Sequence, residues 1–240
     1  MDIDNFKNLM CQYGEKIDIK FNDKQLNQFY DYMNILLEWN QKINLTAITE
    51  PEDIILKHFI DSLTINKYIK NNGKLADVGT GAGFPGIPLK IYRPDLEITL
   101  VDSLNKRINF LNEVISCLEL NNIYTIHSRI EDFGKDIKYR EKFDYVTARA
   151  VANVAVLSEY LIPLAKIDGN CIYMKGNEIK GELDNGKNAI KILGGKIQKL
   201  DEFELPNTDI LRNIIIVKKI KNTPNKYPRK AGVPAKEPLK

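Results

Sequence analysis

The chain has 240 residues, 43% hydrophobic and 28% charged, with a formal net charge of +3. That is ordinary globular composition with room for one sizeable core. Three scattered cysteines (Cys11, Cys117, Cys171) form no CxxC pair, and two histidines are few, which argues against a disulfide framework and against a metal site. The start MDIDNFKNLM lacks the layout of a signal peptide, and no apolar run approaches ~20 residues. A cytoplasmic protein with no membrane contact is expected.

Residues 1–73 read as a helical segment. From Asp23, an acceptable N-cap, the apolar positions Leu26, Phe29, Met33, Leu36 and Leu37 recur at threes and fours, predicting an amphipathic helix to about Asn40. NLTAITEPED breaks it and restarts it, with Thr49 as a cap and Pro51 in the first turn. Ile54, Ile55, His58, Phe59 and Leu63 carry a second helix, which Asn71-Asn72-Gly73 ends.

From Lys74 the period changes. KLADVG, EITLVD, IYTIHS, FDYVTARA and GNCIYMKG are short apolar runs, separated by helical stretches such as LNKRINFLNEVISCLEL and VAVLSEYLIPLA. Strands alternating with helices predict an α/β fold with a doubly wound, mostly parallel sheet. KIQKLDEFEL and LRNIIIVKKI, joined by the loop PNTD, predict an antiparallel hairpin at its C-terminal edge. Residues 74–222 make up this domain.

The charge is uneven. From Lys218 to Lys240 there are eight lysines and arginines against one acid, Glu237, leaving 27 bases and 31 acids in the rest of the chain. The tail, residues 223–240, includes KYPRKAGVPAKEP, whose prolines favour an extended, surface-tracking segment. Contact with a polyanion is one reading and a solubilising end is the other.

The sharpest local signal is LADVGTGAGFPGIPL, residues 75–89, with four glycines within eight residues. A P-loop needs Lys and Ser/Thr after its last glycine, where Ile87-Pro88 stand. The dinucleotide fingerprint occurs as Gly81-Ala-Gly83-Phe-Pro-Gly86, but Pro85 removes one of the amides that would meet a pyrophosphate. The register Asp77-Val-Gly79-Thr-Gly81-Ala-Gly83 resembles instead the first motif of class I S-adenosylmethionine-dependent methyltransferases. Glycines let the backbone approach a methionine moiety closely, and the acid can hydrogen-bond its amine through neighbouring groups or water. Downstream, Asp102 ends the second strand, where a carboxylate can accept ribose hydroxyls. Ile130-Glu131 follow the third strand, where an amide and an acid could read an adenine edge. The blander alternatives are that Asp102 and Glu131 cap the following turns, and that Phe84 and Ile130 are core.

After the fourth strand, TARAV carries no [DNS]-P-P-[YFW] motif for methylating an exocyclic amine, and no cysteine stands where a cytosine-C5 nucleophile would. Guanine N7 offers a free lone pair, so neither a base nor a covalent intermediate is needed and positioning suffices.

NLTAITEPEDIILKHFIDSL, DVGTGAGFPGIPL, VDSLNKRINFLNEV, TARAVA, MKG and KYPRKAGVPAKEPL together resemble, in order and along nearly the whole chain, the RsmG family, also called GidB. The resemblance implies a class I methyltransferase that forms 7-methylguanosine in the 530 loop of 16S ribosomal RNA, with the small subunit or an assembly intermediate as partner. It implies S-adenosylmethionine contacts at Gly79, Phe84, Ile130, Glu131 and Arg149; the glycine motif adds Gly81 and strand position adds Asp102. A monomer is expected.

Arg149 ends the fourth strand, where its planar fork suits the cofactor carboxylate or RNA better than a surface ion pair. His58 is weighed as a satisfied core histidine against a helper of KHFIDSL, and Lys175 as a phosphate contact against a solvated lysine. N7 faces the deep groove of A-form RNA, so the target must lie in a loop or leave its stack. Lys226, Arg229 and Lys230 are the expected phosphate contacts. A nicotinamide oxidoreductase and a non-catalytic RNA-binding module remain as alternatives.

Overall fold

The computed structural model describes residues 1–149, 152–176 and 179–240. Helices α1 (Ile3–Glu15) and α2 (Asp23–Asn40) open the chain. The cap of α2 is Asn22, one residue before the expected Asp23: its side chain accepts from Gln25 N while the Gln25 side chain accepts from Asn22 N. That reciprocal pair satisfies two amides that the first turn leaves free. The apolar stripe of α2 is buried, with Phe29 and Tyr32 fully enclosed.

The second helix is not uniform. α3 (Pro51–Ile54) and α4 (Asp61–Leu63) flank a π-helical stretch, Ile55–Ile60, that runs through KHFI. It starts at Pro51 as expected, but the residue before it, Glu50, makes no side-chain cap. The helix stops at Leu63, eight residues short of the expected Asn71, and a 3₁₀ turn (Asn66–Tyr68) leads to Asn72 at φ 55°.

The sheet then builds from β1 (Lys74–Val78), β2 (Glu97–Asp102), β3 (Ile123–His127), β4 (Phe143–Arg149), β5 (Ala165–Lys175), β6 (Gly195–Glu204) and β7 (Leu211–Lys219). Helices α5 (Gly86–Tyr92), α6 (Asn105–Cys117), α7 (Ile130–Lys135), α8 (Val154–Leu161) and α9 (Lys180–Ile192) alternate with the strands, and α10 (Val233–Lys236) lies near the end. The strand order is β3-β2-β1-β4-β5-β7-β6. The first five strands pair in parallel, and β7 inserts antiparallel between β5 and β6. The expected edge hairpin is therefore present with its second strand inside, so that β6 forms the edge. Apolar IIIV of β7 pairs on both sides, whereas β6, with only one partner, keeps alternate positions exposed.

Two apolar layers sandwich the sheet. The first takes in α1, α2 and the π stretch through Phe6, Met10, Phe29 and Phe59, so the N-terminal segment shares the core. The second takes in α8 and, from the tail, Tyr227. No described helix is long and apolar enough to cross a membrane.

Candidate active site

The glycine turn leaves β1 with Gly79, Gly81 and Gly83 all at positive φ (67°, 62° and 92°), a region in which a Cβ is strained. Gly79 N and Thr80 N donate to Val101 O, tying the turn to β2. A Cβ on Gly81 would meet nothing within 4 Å and would project into open space, whereas one on Gly83 would press on Ile87 and the Tyr32 hydroxyl. Gly81 thus faces a cavity and Gly83 serves packing.

Asp77 holds the turn from below. Its Oδ2 accepts from Thr80 Oγ1 at 2.6 Å and from Gly86 N at 2.9 Å, while its buried Oδ1 has no partner among the described residues. Burial pushes this carboxyl up to about 6 against the opposing pull of those hydrogen bonds and of Arg149. Asp77 is fully buried and lies outside the residues that line the cleft, so it acts on the turn from behind through Thr80 and Gly86.

At the end of β2, Asp102 is 2% exposed. Its Oδ2 accepts from Gly81 N at 3.0 Å, its Oδ1 accepts from Leu104 N at 2.9 Å, and Arg107 Nη1 lies 3.3 Å from Oδ2. The helix-capping role weighed against ribose contact is not seen, since Leu104 is the N-cap of α6 and no side chain caps it; Asp102 instead joins two strand-end loops. A carboxylate has about four acceptor sites, so this role leaves room for a hydroxyl. Ile130 and Glu131 open α7 on the same cleft, but Glu131 Oε1 accepts from Gly232 N in the tail at 2.8 Å. That bond ties one of the two carboxylate oxygens to the chain's own backbone, and Glu131 still lines the cleft.

Opposite stands the π stretch. His58 stacks on Phe84 with ring centroids 4.4 Å apart and planes 12° apart, and the Arg149 guanidinium lies over the same ring at 4.9 Å. Arg149 Nη2 meets His58 Nδ1 at 3.1 Å, and Nη1 donates to Lys57 O and to Asp61 Oδ2. A guanidinium only donates, so Nδ1 accepts and the ring proton sits on Nε2, facing Thr46 Oγ1 at 2.8 Å. Burial, and next the Arg149 charge, lower the His58 pKa to about 3, so the ring is neutral at physiological pH. Asp61 bridges two cations, accepting from Arg149 and, at 3.0 Å, from Arg212 Nε on β7. His58 is therefore more than a satisfied core residue: it is a wall of the cleft that orients Arg149.

Lys175 is not a solvated lysine. Its Nζ donates to Ala152 O and pairs with Glu182, both at 2.8 Å. Within TARAVA, Ala150 and Val151 lie outside the described residues.

The tail departs most from expectation. It is docked along the body: Arg140 donates to Thr223 O and Tyr227 O, and Tyr227 is buried. Arg229 is no free phosphate contact. Its Nε and Nη2 grip both oxygens of Glu159 on α8 at 2.7–3.1 Å, and its own N–H reaches Glu159 Oε1 at 2.7 Å. Glu159 is 1% exposed, so Arg229 neutralises a buried charge. Lys226 and Lys230 are exposed, with the Lys226 ammonium 5.2 Å from the Tyr227 ring centre.

Gly79, Gly81, Phe84, Asp102, Ile130, Glu131, Arg149, His58 and Lys175 line one cleft of about 1100 Å³ at the C-terminal ends of the parallel strands, and Lys226, Arg229 and Lys230 lie outside its lining. Thr46, Asp61 and Arg212 also belong to it, beyond the residues expected from sequence. Thr46 and Asp61 lie within NLTAITEPEDIILKHFIDSL, whereas nothing local marks Arg212. Among the described residues no group of His, Cys, Asp and Glu could hold a metal.

The strand order with its inserted β7, the glycine cradle and the acid ending β2 define a class I S-adenosylmethionine-dependent methyltransferase. Solved structures with this fold include a 16S rRNA (adenine(1408)-N(1))-methyltransferase from Catenulisporales acidiphilia with cosubstrate SAM (TM-score 0.52, 16% identity, 64% of this chain and 88% of that one). Another is a ribosomal protein L11 methylase from Lactobacillus delbrueckii (TM-score 0.52, 15% identity, 69% and 79%). The family model for rRNA small subunit methyltransferase G, GidB, matches residues 25–211. Relatives called ribosomal RNA small subunit methyltransferase G are 50% identical in Clostridium novyi over 98% of this chain and 97% of the relative, and 53% identical in Acetivibrio thermocellus over 97% and 96%. The chain belongs to this family of rRNA methyltransferases, and the oxidoreductase and non-catalytic alternatives fall.

Proposed function

We propose that the protein, acting as a cytoplasmic monomer, methylates N7 of a guanine in the 530 loop of 16S ribosomal RNA, within the small subunit or an assembly intermediate. When bound, S-adenosylmethionine supplies an electrophilic methyl group. Gly79 and Gly81 would give its methionine part backbone-close access, with Asp77 holding the turn from behind through Thr80 and Gly86. Asp102 receives the ribose, and backbone at Ile130-Glu131 receives adenine. Phe84, under His58 and Arg149, walls the reacting end. The functional division follows the chain: residues 1–73 shape the acceptor end, 74–222 carry the cofactor, and 223–240 close the cleft and present Lys226 and Lys230 to phosphate.

The observation that carries this reading is that His58, the base candidate nearest the acceptor end among the described residues, has both nitrogens engaged and a pKa lowered to about 3. Asp61 lies between two guanidinium groups and Lys175 is paired. A site without a free base suits an acceptor that has no proton to lose. Labelled methyl transfer to undermethylated small subunits, mapped by cleavage at 7-methylguanosine, tests it. Label confined to one guanine of the 530 loop is expected; label on another base, or none, would refute the acceptor.

A further inference from the structure

The tail meets the cofactor cleft at its adenine end. Ala231, Gly232 and Ala235 line the cleft together with Ile130 and Glu131 after β3 and with Val156 and Tyr160 on α8. Gly232 sits at φ 80°, and no atom lies within 4 Å of where its Cβ would stand. Its N–H donates to Glu131 Oε1 at 2.8 Å. Three residues earlier, Arg229 is fixed to Glu159, and Arg229 Nη2 also donates to Glu237 O at 2.7 Å, closing a loop around α10. The segment is thus pinned on both sides of the residues that face the cavity. Those residues are small, and with Ile130 and Val156 they leave an apolar slot, the surface that a flat heteroaromatic ring needs.

We propose that residues 229–237 form the adenosine-side wall of the cofactor site, with Arg229 as its positioning residue and Ala235 as the side chain that sets the width of the slot. The proposal rests on the reading of this cleft as the S-adenosylmethionine site. Binding the adenine moiety there excludes water from the Gly232–Glu131 bond and holds the segment down. A tail that looks from its composition like an RNA-binding appendage is then part of the cofactor pocket, and cofactor affinity depends on its docking.

The test uses S-adenosylhomocysteine as probe, by calorimetry on the full chain. Ala235 is exposed and lines the cleft, so Ala235→Trp should keep the wild-type melting temperature while weakening binding by about tenfold or more, a change of ~1.4 kcal/mol. Gly232→Pro removes the donor and cannot hold φ 80°, and should weaken binding in the same direction. In the wild type, hydrogen exchange at 231–236 should slow when the probe is added, a response that a merely structural tail would not give. Wild-type affinity in folded Ala235→Trp, with no slowing of exchange, would overturn the wall. Wild-type protein that binds no probe would refute the underlying cofactor reading instead.

Discussion

The two sides of the cleft are made of different material. The glycine-turn side is backbone: Gly79, Gly81 and Gly83 at positive φ, hydrogen-bonded to β2 and propped by Asp77 close by in the chain. The facing side is a side-chain network drawn from distant parts of the sequence. Thr46, His58 and Asp61 come from the helical segment, Arg149 from β4 and Arg212 from β7. A backbone-made wall is read by local conformational rules. A network-made wall depends on charges that must all be paired once buried. Substitution on the first side should therefore affect ligand binding more than stability, and substitution on the second should affect stability as well.

The largest effect is expected where a side-chain ion pair is buried, first at the tail anchor and then in the network side of the cleft. Arg229→Ala leaves the Glu159 carboxylate buried without its cation and should cost ~3–5 kcal/mol of unfolding free energy. Arg149→Ala should cost less, ~1–3 kcal/mol, because Asp61 keeps Arg212. Urea unfolding of both variants checks the order, and an Arg229→Ala protein as stable as wild type would remove the distinction.

On the backbone side, Gly79→Val places a β-branched residue at φ 67°. The strain is of order ~1–3 kcal/mol, and cofactor binding should vanish while the protein stays folded. A folded variant with unchanged affinity would make the turn purely structural.

Asp77 gives a pH signature. Its carboxyl titrates near 6 in the free protein, and its charged form accepts more strongly from Thr80 and Gly86, so protonation loosens the turn that the cofactor meets. Affinity should be full at pH 7 and fall as pH drops through about 6, by at most about tenfold per unit. Asp77→Asn should flatten the profile. Calorimetric titration from slightly acid to neutral pH measures both, and an affinity unchanged across that range would separate Asp77 from cofactor binding. The same raised pKa means that ionised Asp77 costs the fold stability: this cost appears as pH rises through about 6 and is absent below the unfolded carboxyl's ordinary range.

The smallest effect lies outside the cleft. Replacing Lys226 and Lys230 with alanine should leave cofactor affinity unchanged and make the salt dependence of RNA binding shallower, by roughly one unit for each phosphate deprived of its lysine. An equal slope would leave these lysines as solubilising charges.

The strands are legible in the sequence because parallel, doubly covered strands write continuous apolar runs; β2, for example, coincides with EITLVD. The glycine turn is legible because its physics is local. The π stretch is not, because an extra residue in a helical turn leaves no composition signal, although it is what turns His58 and Asp61 toward Arg149. Nor is the docking of the tail. Its charge suggests a polyanion, and the acid that actually holds Arg229 lies 70 residues away in a buried helix. Asp102 shows a third case: it ties the two strand-end loops together instead of capping α6, and that tie to Gly81 is not written in the local sequence.

The division of the cleft is tested most directly by the crystal structure of the full chain with S-adenosylhomocysteine. The homocysteine moiety should lie along Gly79–Gly81, and adenine should lie between Ile130 and Ala231–Ala235, leaving the space beside His58 and Arg212 open for RNA. Adenine found against His58 and Lys57, with the tail side empty, would contradict it.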